Sequence, residues 1–367
     1  MTTLRGDQRL NSVIVKTLND IAVEPVFTCP LCNDRKRNTI YKGLKDLLFG
    51  APGEWTLNQC SGCGLVFLDP RPVIKDIGKT YTTSYSNRKT VRPSKGLTWY
   101  KKLRKRFRSE IRLGFLANVY GYKMSASLWQ RIIAFPVSVV SHFSEQYAYN
   151  VMKLPFTPGG RLLDIGCGIG NFICLMVNLG WKAEGLDTDP EVLQICRNRG
   201  LTVREGTLEN QRYPDNYFDA VTMKHVIEHV YDPVSLLREC HRILRPGGRL
   251  VILTPNLESQ GHKEFKQLWI GLDPPRHLFL FTSKTLSEAI QREEFKVVDL
   301  SSTGRISEFN WLGSYNLKKY KKNVYFDNPN LFSRVMAKIY DKKIHLRILW
   351  DKMAGEELML VATKRHD

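Results

Sequence analysis

The sequence predicts an α/β protein built on a doubly wound sheet of seven strands, with a four-cysteine module and a basic, largely helical segment ahead of it. Three observations carry this expectation. From residue 161, short apolar runs alternate with stretches of helical periodicity, the pattern of a mostly parallel sheet flanked by helices. The glycine-rich stretch LLDIGCGIG at 162–170 joins the first apolar run to the first helical stretch. Two CxxC pairs, Cys29 with Cys32 and Cys60 with Cys63, stand well upstream of it.

The elements follow in order. RLLDI (161–165) reads as a strand and NFICLMVNLG as a helix closed by Gly180. WKAEGLD (181–187) is the second strand, and the next helix opens at Pro190, a favoured first-turn position, and ends near Gly200. LTVREG (201–206) and YFDAVTM (217–223) are strands three and four. A long helix starts at Asp232-Pro233 and stops at Pro246-Gly247-Gly248, and RLVILTP (249–255) supplies strand five. Thr282 caps the helix SKTLSEAIQREE, FKVVDL (295–300) is strand six, and ELMLVAT (357–363) closes the sheet after an insertion at about 304–355. The expected domains are a cysteine module at 25–80, a connecting segment at 81–155 and the sheet domain at 156–367. In the connecting segment Trp99, Leu103, Phe107 and Ile111 recur every four residues among Lys101, Lys102, Arg104, Lys105, Arg106 and Arg108. That is a basic helix with a narrow apolar stripe, which either packs on the main domain or faces an anionic membrane.

Composition places these elements in an ordinary water-soluble chain. With 43% hydrophobic and 25% charged residues, the 367-residue sequence is neither a disordered nor a membrane-embedded one. Its first 20 residues lack the apolar core of an export signal. The stretch IIAFPVSVV (132–140) is far short of the roughly 20 residues that span a bilayer, so a cytoplasmic location is expected. The net charge of +19 is unevenly spread. Residues 151–300 carry 18 Lys/Arg against 19 Asp/Glu, while residues 1–150 carry 24 against 10. The basic excess therefore belongs to whatever the flanks touch: an anionic substrate, a membrane surface or nucleic acid.

Two CxxC knuckles separated by 27 residues supply four thiolates, the closed shell of a structural zinc ion in a ribbon whose strands are NTIYKG and WTLNQC. Iron in a similar thiolate site and a pair of disulfides are the alternatives. Cys167, Cys174, Cys196 and Cys240 read as ordinary buried thiols.

A strand ending in Asp164 that turns through Gly166, Gly168 and Gly170 into a helix suits a nucleotide, because glycine lets the backbone turn tightly and a ligand approach closely. A dinucleotide site is the rival reading. Three details favour S-adenosylmethionine. The spacing is GxGxG, with Asn171 where a dinucleotide site would have its last glycine. Asp164 lies two places before the first glycine, suited to a ligand ammonium group. Asp187 ends the second strand, 23 residues on, where a carboxylate accepts ribose hydroxyls.

With LLDIGCGIGNF, GLDTDP, FDAVTMKHVIEHVYDP, LRECHRILRPGG and VILTPN in this order, residues 159–302 resemble the class I methyltransferase family, in particular the type-11/type-12 branch often found with polysaccharide biosynthesis genes. The resemblance extends to CGLVFLDPRP (63–72), DPPRHLFLF (273–281) and the C-terminal strand. It implies a Rossmann-like sheet of order 3-2-1-4-5-7-6 and methyl transfer from S-adenosylmethionine. It places Asp164, Gly166 and Gly168 at the methionine part, Asp187 at the ribose, and Thr207 and Leu208 beside the adenine. Where many relatives have an aspartate after strand three, the nearest acid here is Glu209.

Methyl transfer from a sulfonium is an in-line displacement that depends on positioning, and an oxygen acceptor can also need a base. The candidates are His225, Glu228 and His229 just past strand four, and His277 in the Pro-Pro-Arg-His segment, with His225 and His277 the preferred pair. Arg276 either binds an anionic acceptor or caps a loop carbonyl. His225-Val-Ile-Glu228-His229 also fits the HxxEH zinc pattern, although it leaves a strand rather than lying on a helix and shows no third ligand. The resemblance implies a sugar or glycan acceptor, possibly lipid-linked, with the ribbon helping to form the acceptor pocket. RNA methylation, through the ribbon and basic flanks, and a non-catalytic zinc- and nucleotide-binding scaffold are the alternatives.

Overall fold

The computed structural model describes residues 16–18, 20–81, 99–122, 126–139, 147–321 and 330–365. The first half of the described chain holds two small sheets. Strands β1 (Lys16–Leu18), β2 (Ile21–Glu24) and β6 (Arg71–Pro72) form one of them, all antiparallel. Strands β3 (Arg37–Leu44), β4 (Trp55–Cys60) and β5 (Val66–Leu68) form the other, the two longer strands falling where NTIYKG and WTLNQC predict them. Two helices follow, α1 (Trp99–Tyr120) and α2 (Leu128–Val139). They cross closely at Gly114, where a Cβ would sit 1.9 Å from the Gln130 carbonyl oxygen.

The large sheet then builds as expected. Its strands β7 (Arg161–Ile165), β8 (Lys182–Asp187), β9 (Val203–Glu205), β10 (Phe218–Lys224) and β11 (Leu244–Pro255) are all parallel to their neighbours. β12 (Phe279–Leu280) leaves this sheet, and β13 (Phe295–Thr303) and β14 (Glu357–Lys364) complete it in antiparallel fashion. The order β9-β8-β7-β10-β11-β14-β13 is 3-2-1-4-5-7-6 in the numbering of the sheet's own strands. Leu162, Leu163, Ala220, Val221, Leu250 and Val251 are buried, as central strands covered on both faces require.

Local signals set the helix starts. In α4 (Pro190–Asn198) the Asp189 carboxylate caps the Glu191 N–H, and in α5 (Pro233–Ile243) Asp232 caps Ser235. In α7 (Ser283–Arg292) Thr282 and Thr285 form a reciprocal capping box. The helix α3 (Asn171–Asn178) leaves the glycine turn directly. One boundary differs from expectation. β11 begins at Leu244 and runs through Pro246-Gly247-Gly248, because Leu244 is already extended and pairs with Phe218 ahead of a register shift.

The insertion after β13 carries α8 (Ser307–Tyr320) and α9 (Leu331–Ile348). The buried Glu356 carboxylate ties it to the loop after β11, accepting from Gly261 N–H, Trp269 Nε1, Asn310 Nδ2 and Tyr340 O–H at 2.9–3.1 Å. Before that loop turns away, α6 (Gln260–Phe265) caps on Ser259.

The cysteine module is not a separate bead. Phe279 and Leu280 of β12 pair antiparallel with Phe67 and Val66 of β5, so DPPRHLFLF supplies the fourth strand of the module's sheet. Trp55, Leu57 and Phe67 accordingly join one continuous core with Leu163, Val221 and Leu250. In the connecting segment, Leu103 and Phe107 of the expected apolar stripe are more than half exposed, so that part of the stripe does not pack on the main domain. The side chains of Trp99, Lys101, Lys102, Arg104 and Lys105 lie outside the described residues, as do residues 82–98 of the expected connecting segment.

Candidate active site

The glycine turn and the end of the second strand are joined through one carboxylate. Asp187 Oδ2 accepts the Gly168 N–H at 2.8 Å and Oδ1 accepts the Asp189 N–H at 3.0 Å. The backbone locks the same junction: Gly166 N–H donates to Leu186 O, and Gly206 N–H, from the loop after β9, donates to Asp187 O. Gly166 has φ +69° and a Cβ there would sit 2.4 Å from Val226, so the turn packs tightly on the segment after β10. Gly168 differs. It has φ +51°, yet a Cβ would meet nothing within 4 Å, so this glycine borders open space.

Asp164 is buried, with Oδ1 accepting from Thr222 O–H at 2.7 Å. Burial raises its pKa to about 7 against the opposing Thr222 hydrogen bond, and Asp187 adds to the rise. Leu208 sends its side chain into the core and Thr207 is exposed.

Beyond the turn a buried polar chain runs toward the cysteine module. His225, at φ +53°, places Nδ1 3.2 Å from Glu228 Oε1 and Nε2 2.7 Å from Glu357 Oε1. Both carboxylates are fully buried, and Thr254 O–H donates to Glu228 Oε2 at 2.9 Å. Burial opposes charge on His225, but the two carboxylates outweigh it and raise its pKa to about 10. Glu228 in turn falls to about 2, because its bond to His225 overcomes its burial. The two carboxylates thus favour the protonated ring, which runs against the expected role of His225 as a base.

His277, the other preferred candidate base, gathers with Glu228 and His229. Its Nδ1 lies 2.8 Å from Gly271 O, and its ring meets His229 edge-on at a centroid distance of 4.8 Å. Burial, with His229 adding, lowers its pKa to about 4, so the imidazole is neutral.

Arg276 is fully buried and occupied. It donates to both Asp273 oxygens at 3.0 and 2.5 Å, to Asp46 Oδ2 at 2.8 Å and to Thr80 O at 2.9 Å, and stacks over Phe49. Of its two expected roles, the guanidinium caps a carbonyl and pairs buried acids. It has no free face for an anionic acceptor.

The four thiols of the module converge. Cys29 Sγ lies 3.5 Å from Cys63 Sγ, Cys32 Sγ lies 3.4 Å from Cys60 Sγ, and all four are within 4.8 Å of one another. A tetrahedral ion with bonds of about 2.3 Å needs sulfurs roughly 3.8 Å apart, so the donor set fits zinc. The paired sulfurs stand farther apart than the roughly 2.05 Å of a disulfide bond.

Two participants escaped sequence reasoning. Glu357 and Tyr149, whose hydroxyl lies 3.4 Å from it, approach His225 from far along the chain. The available signal was an acid opening the otherwise apolar strand ELMLVAT.

Residues 140–300 match a family model described as a methyltransferase domain. The matched segment includes the Asp187–Gly168 junction and most strands of the large sheet. Among characterised relatives, the ubiquinone biosynthesis O-methyltransferase of Xanthomonas oryzae pv. oryzae (strain PXO99A) is 37% identical over 123 residues, covering 30% of this chain and 52% of that protein. The protein of the same name from Proteus mirabilis is 37% identical over 106 residues, covering 27% and 43%. The chain thus spans about half the length of the curated relatives it matches. Similar solved structures include an S-adenosylmethionine-dependent methyltransferase from Mesorhizobium loti, with TM-score 0.42, 18% identity and coverage of 60% of this chain and 97% of that one. Another is a putative methyltransferase bound to the Trm112 activator of Haloferax volcanii, with TM-score 0.41, 16% identity and coverage of 60% and 88%. No helix among the described residues is long and apolar enough to cross a membrane.

Proposed function

We propose that the chain is an S-adenosylmethionine-dependent methyltransferase whose acceptor is a hydroxyl of a sugar carried on a membrane lipid or another activated glycan precursor. The observation that carries the transferase reading is the Asp187 carboxylate, fixed at 2.8 Å by Gly168 N–H at the crossing of the two nucleotide turns. Each carboxylate oxygen keeps a lone pair for a ribose hydroxyl after accepting its backbone N–H. Asp164 takes the ammonium end in its ionised form, and the open space at Gly168 takes the methionine chain. Bound there, S-adenosylmethionine supplies an electrophilic methyl group. The Glu228–His229–His277 cluster, which adjoins the glycine turn through Val226, receives the acceptor oxygen. His225 positions Glu228 and holds its charge rather than taking a proton. A structural zinc ion on Cys29, Cys32, Cys60 and Cys63 holds the ribbon whose β5 carries the β12 strand beside that cluster.

The membrane component rests on exposed apolar side chains in a basic setting. Leu103 and Phe107 of α1, and Leu128, Trp129, Ile132 and Phe135 of α2, are exposed, and Arg106 and Arg108 flank them. Apolar residues interleaved with cations suit the surface of an anionic bilayer.

The matched relatives favour a second reading for the acceptor, a prenylated phenol of the ubiquinone kind. Incubation with methyl-labelled S-adenosylmethionine and fractionated cell extract separates these. Label is expected in the glycan or lipid-linked sugar fraction. Label in quinone precursors selects the second reading, and label in RNA alone overturns both.

A further inference from the structure

Two histidines on different segments close around one buried acid. Glu228, His229 and His277 each bring a possible ligand atom to within 4.8 Å of the other two. His229 Nδ1 lies 2.9 Å from Arg276 O, and His277 Nδ1 lies 2.8 Å from Gly271 O. A carbonyl oxygen only accepts, so each Nδ1 carries the hydrogen and each Nε2 is left with the lone pair. A carbonyl behind the ring is also how proteins orient metal-bound imidazoles and raise their basicity. The rings meet edge to face at 65° and do not stack. Glu228 is anchored from behind by His225 and Thr254, which fixes the carboxylate that the histidines face. A carboxylate oxygen and a nitrogen of each imidazole thus gather in a largely buried space.

We propose that Glu228, His229 and His277 form a second metal site, distinct from the four cysteines, that takes a divalent transition ion such as zinc, iron(II) or manganese. Two nitrogens and one carboxylate oxygen are a donor set for such ions and unlike the thiolate shell of the ribbon. Three protein ligands leave a coordination position open, and His229 is only partly buried, which gives the cluster access to the surface. The role of the ion rests on the acceptor binding at this cluster. An ion there would draw in the acceptor hydroxyl and ease loss of its proton.

The test is metal stoichiometry on the full chain. After chelator treatment and titration with cobalt(II), two ions per chain are expected. One shows the intense sulfur-to-metal absorption of a thiolate site and one lacks it. His229→Ala and His277→Ala are each expected to abolish the second signal and keep the first, and His277→Asp, which restores an oxygen ligand, to recover part of it. His229, being half-exposed, decides the question if His277→Ala does not fold. One ion per chain in the wild type at excess cobalt, or a second signal untouched by both substitutions, overturns the proposal. S-adenosylmethionine binding is measured by calorimetry on the same samples. If it persists with a single ion per chain, the metal site falls and the transferase reading stands. If it is absent with both ions bound, the reverse holds.

Discussion

Asp187 and Gly168 are joined by a 2.8 Å hydrogen bond that runs from one strand end to the turn of the neighbouring strand, so one carboxylate holds the glycine turn in the proposed nucleotide site. Asp187→Ala is expected to remove the ribose acceptor and loosen the turn together. Calorimetry should find no S-adenosylmethionine binding, with the circular dichroism of the sheet retained. Unchanged binding would place the nucleotide elsewhere.

Asp164 gives the site a pH dependence. Burial raises its pKa to about 7, so below that pH it is protonated and offers no charge to a ligand ammonium. Affinity for S-adenosylmethionine should rise with pH up to about 7 and level off above it, changing by about tenfold per unit on the acid side. Asp164→Asn should bind more weakly and show no such slope.

His225 is a stability element. Its pKa is raised in the fold, so its contribution is complete below the ordinary histidine value and is lost as pH rises through about 10. His225→Gln leaves Glu228 and Glu357 buried without their shared cation. Breaking a buried pair costs roughly 3–5 kcal/mol, and the one-third exposure of the imidazole puts this case near or below the low end. Urea unfolding at pH 7 should show the loss, and at pH 11 the difference from wild type should shrink. An equal loss at both values would refute the charge argument.

Arg276→Lys should fail to rescue Arg276→Met. The guanidinium reaches Asp46, Asp273 and the Thr80 carbonyl at once, a fork that an ammonium does not reproduce. Both variants should lower the thermal midpoint by several degrees.

Phe107→Ser combined with Trp129→Ser removes two exposed rings from α1 and α2. Cosedimentation with anionic vesicles should weaken severalfold, while neutral vesicles bind neither form.

Much of the sheet was legible because its signals are local. Proline at the start of α4 and α5, the Thr282 cap, and the strand–glycine–helix turn each declare themselves within a few residues. The candidate site was legible only in part. His225, Glu228 and His277 stand out as residue types, but their roles depend on partners that spacing does not reveal. Glu357 reaches His225 across 132 positions and Asp46 reaches Arg276 across 230. Glu228 and the distant Glu357 draw His225 toward its cationic form, and Asp46 braces the buried Arg276 guanidinium. The HxxEH spacing was visible too, yet the residues that converge are Glu228, His229 and His277, with His225 held between Glu228 and Glu357.

The pairing of Phe279 with Phe67 bears on how this architecture can be taken apart. A ribbon hung on a linker can be deleted or exchanged between enzymes like a cartridge. Here the loop bearing His277 finishes the ribbon's own sheet, and Arg276 rivets the two together through Asp46. Separating the chain between residues 81 and 155 would leave β12 without its β5 partner and Arg276 without Asp46 and the Thr80 carbonyl, so transplanting substrate preference means moving both pieces at once.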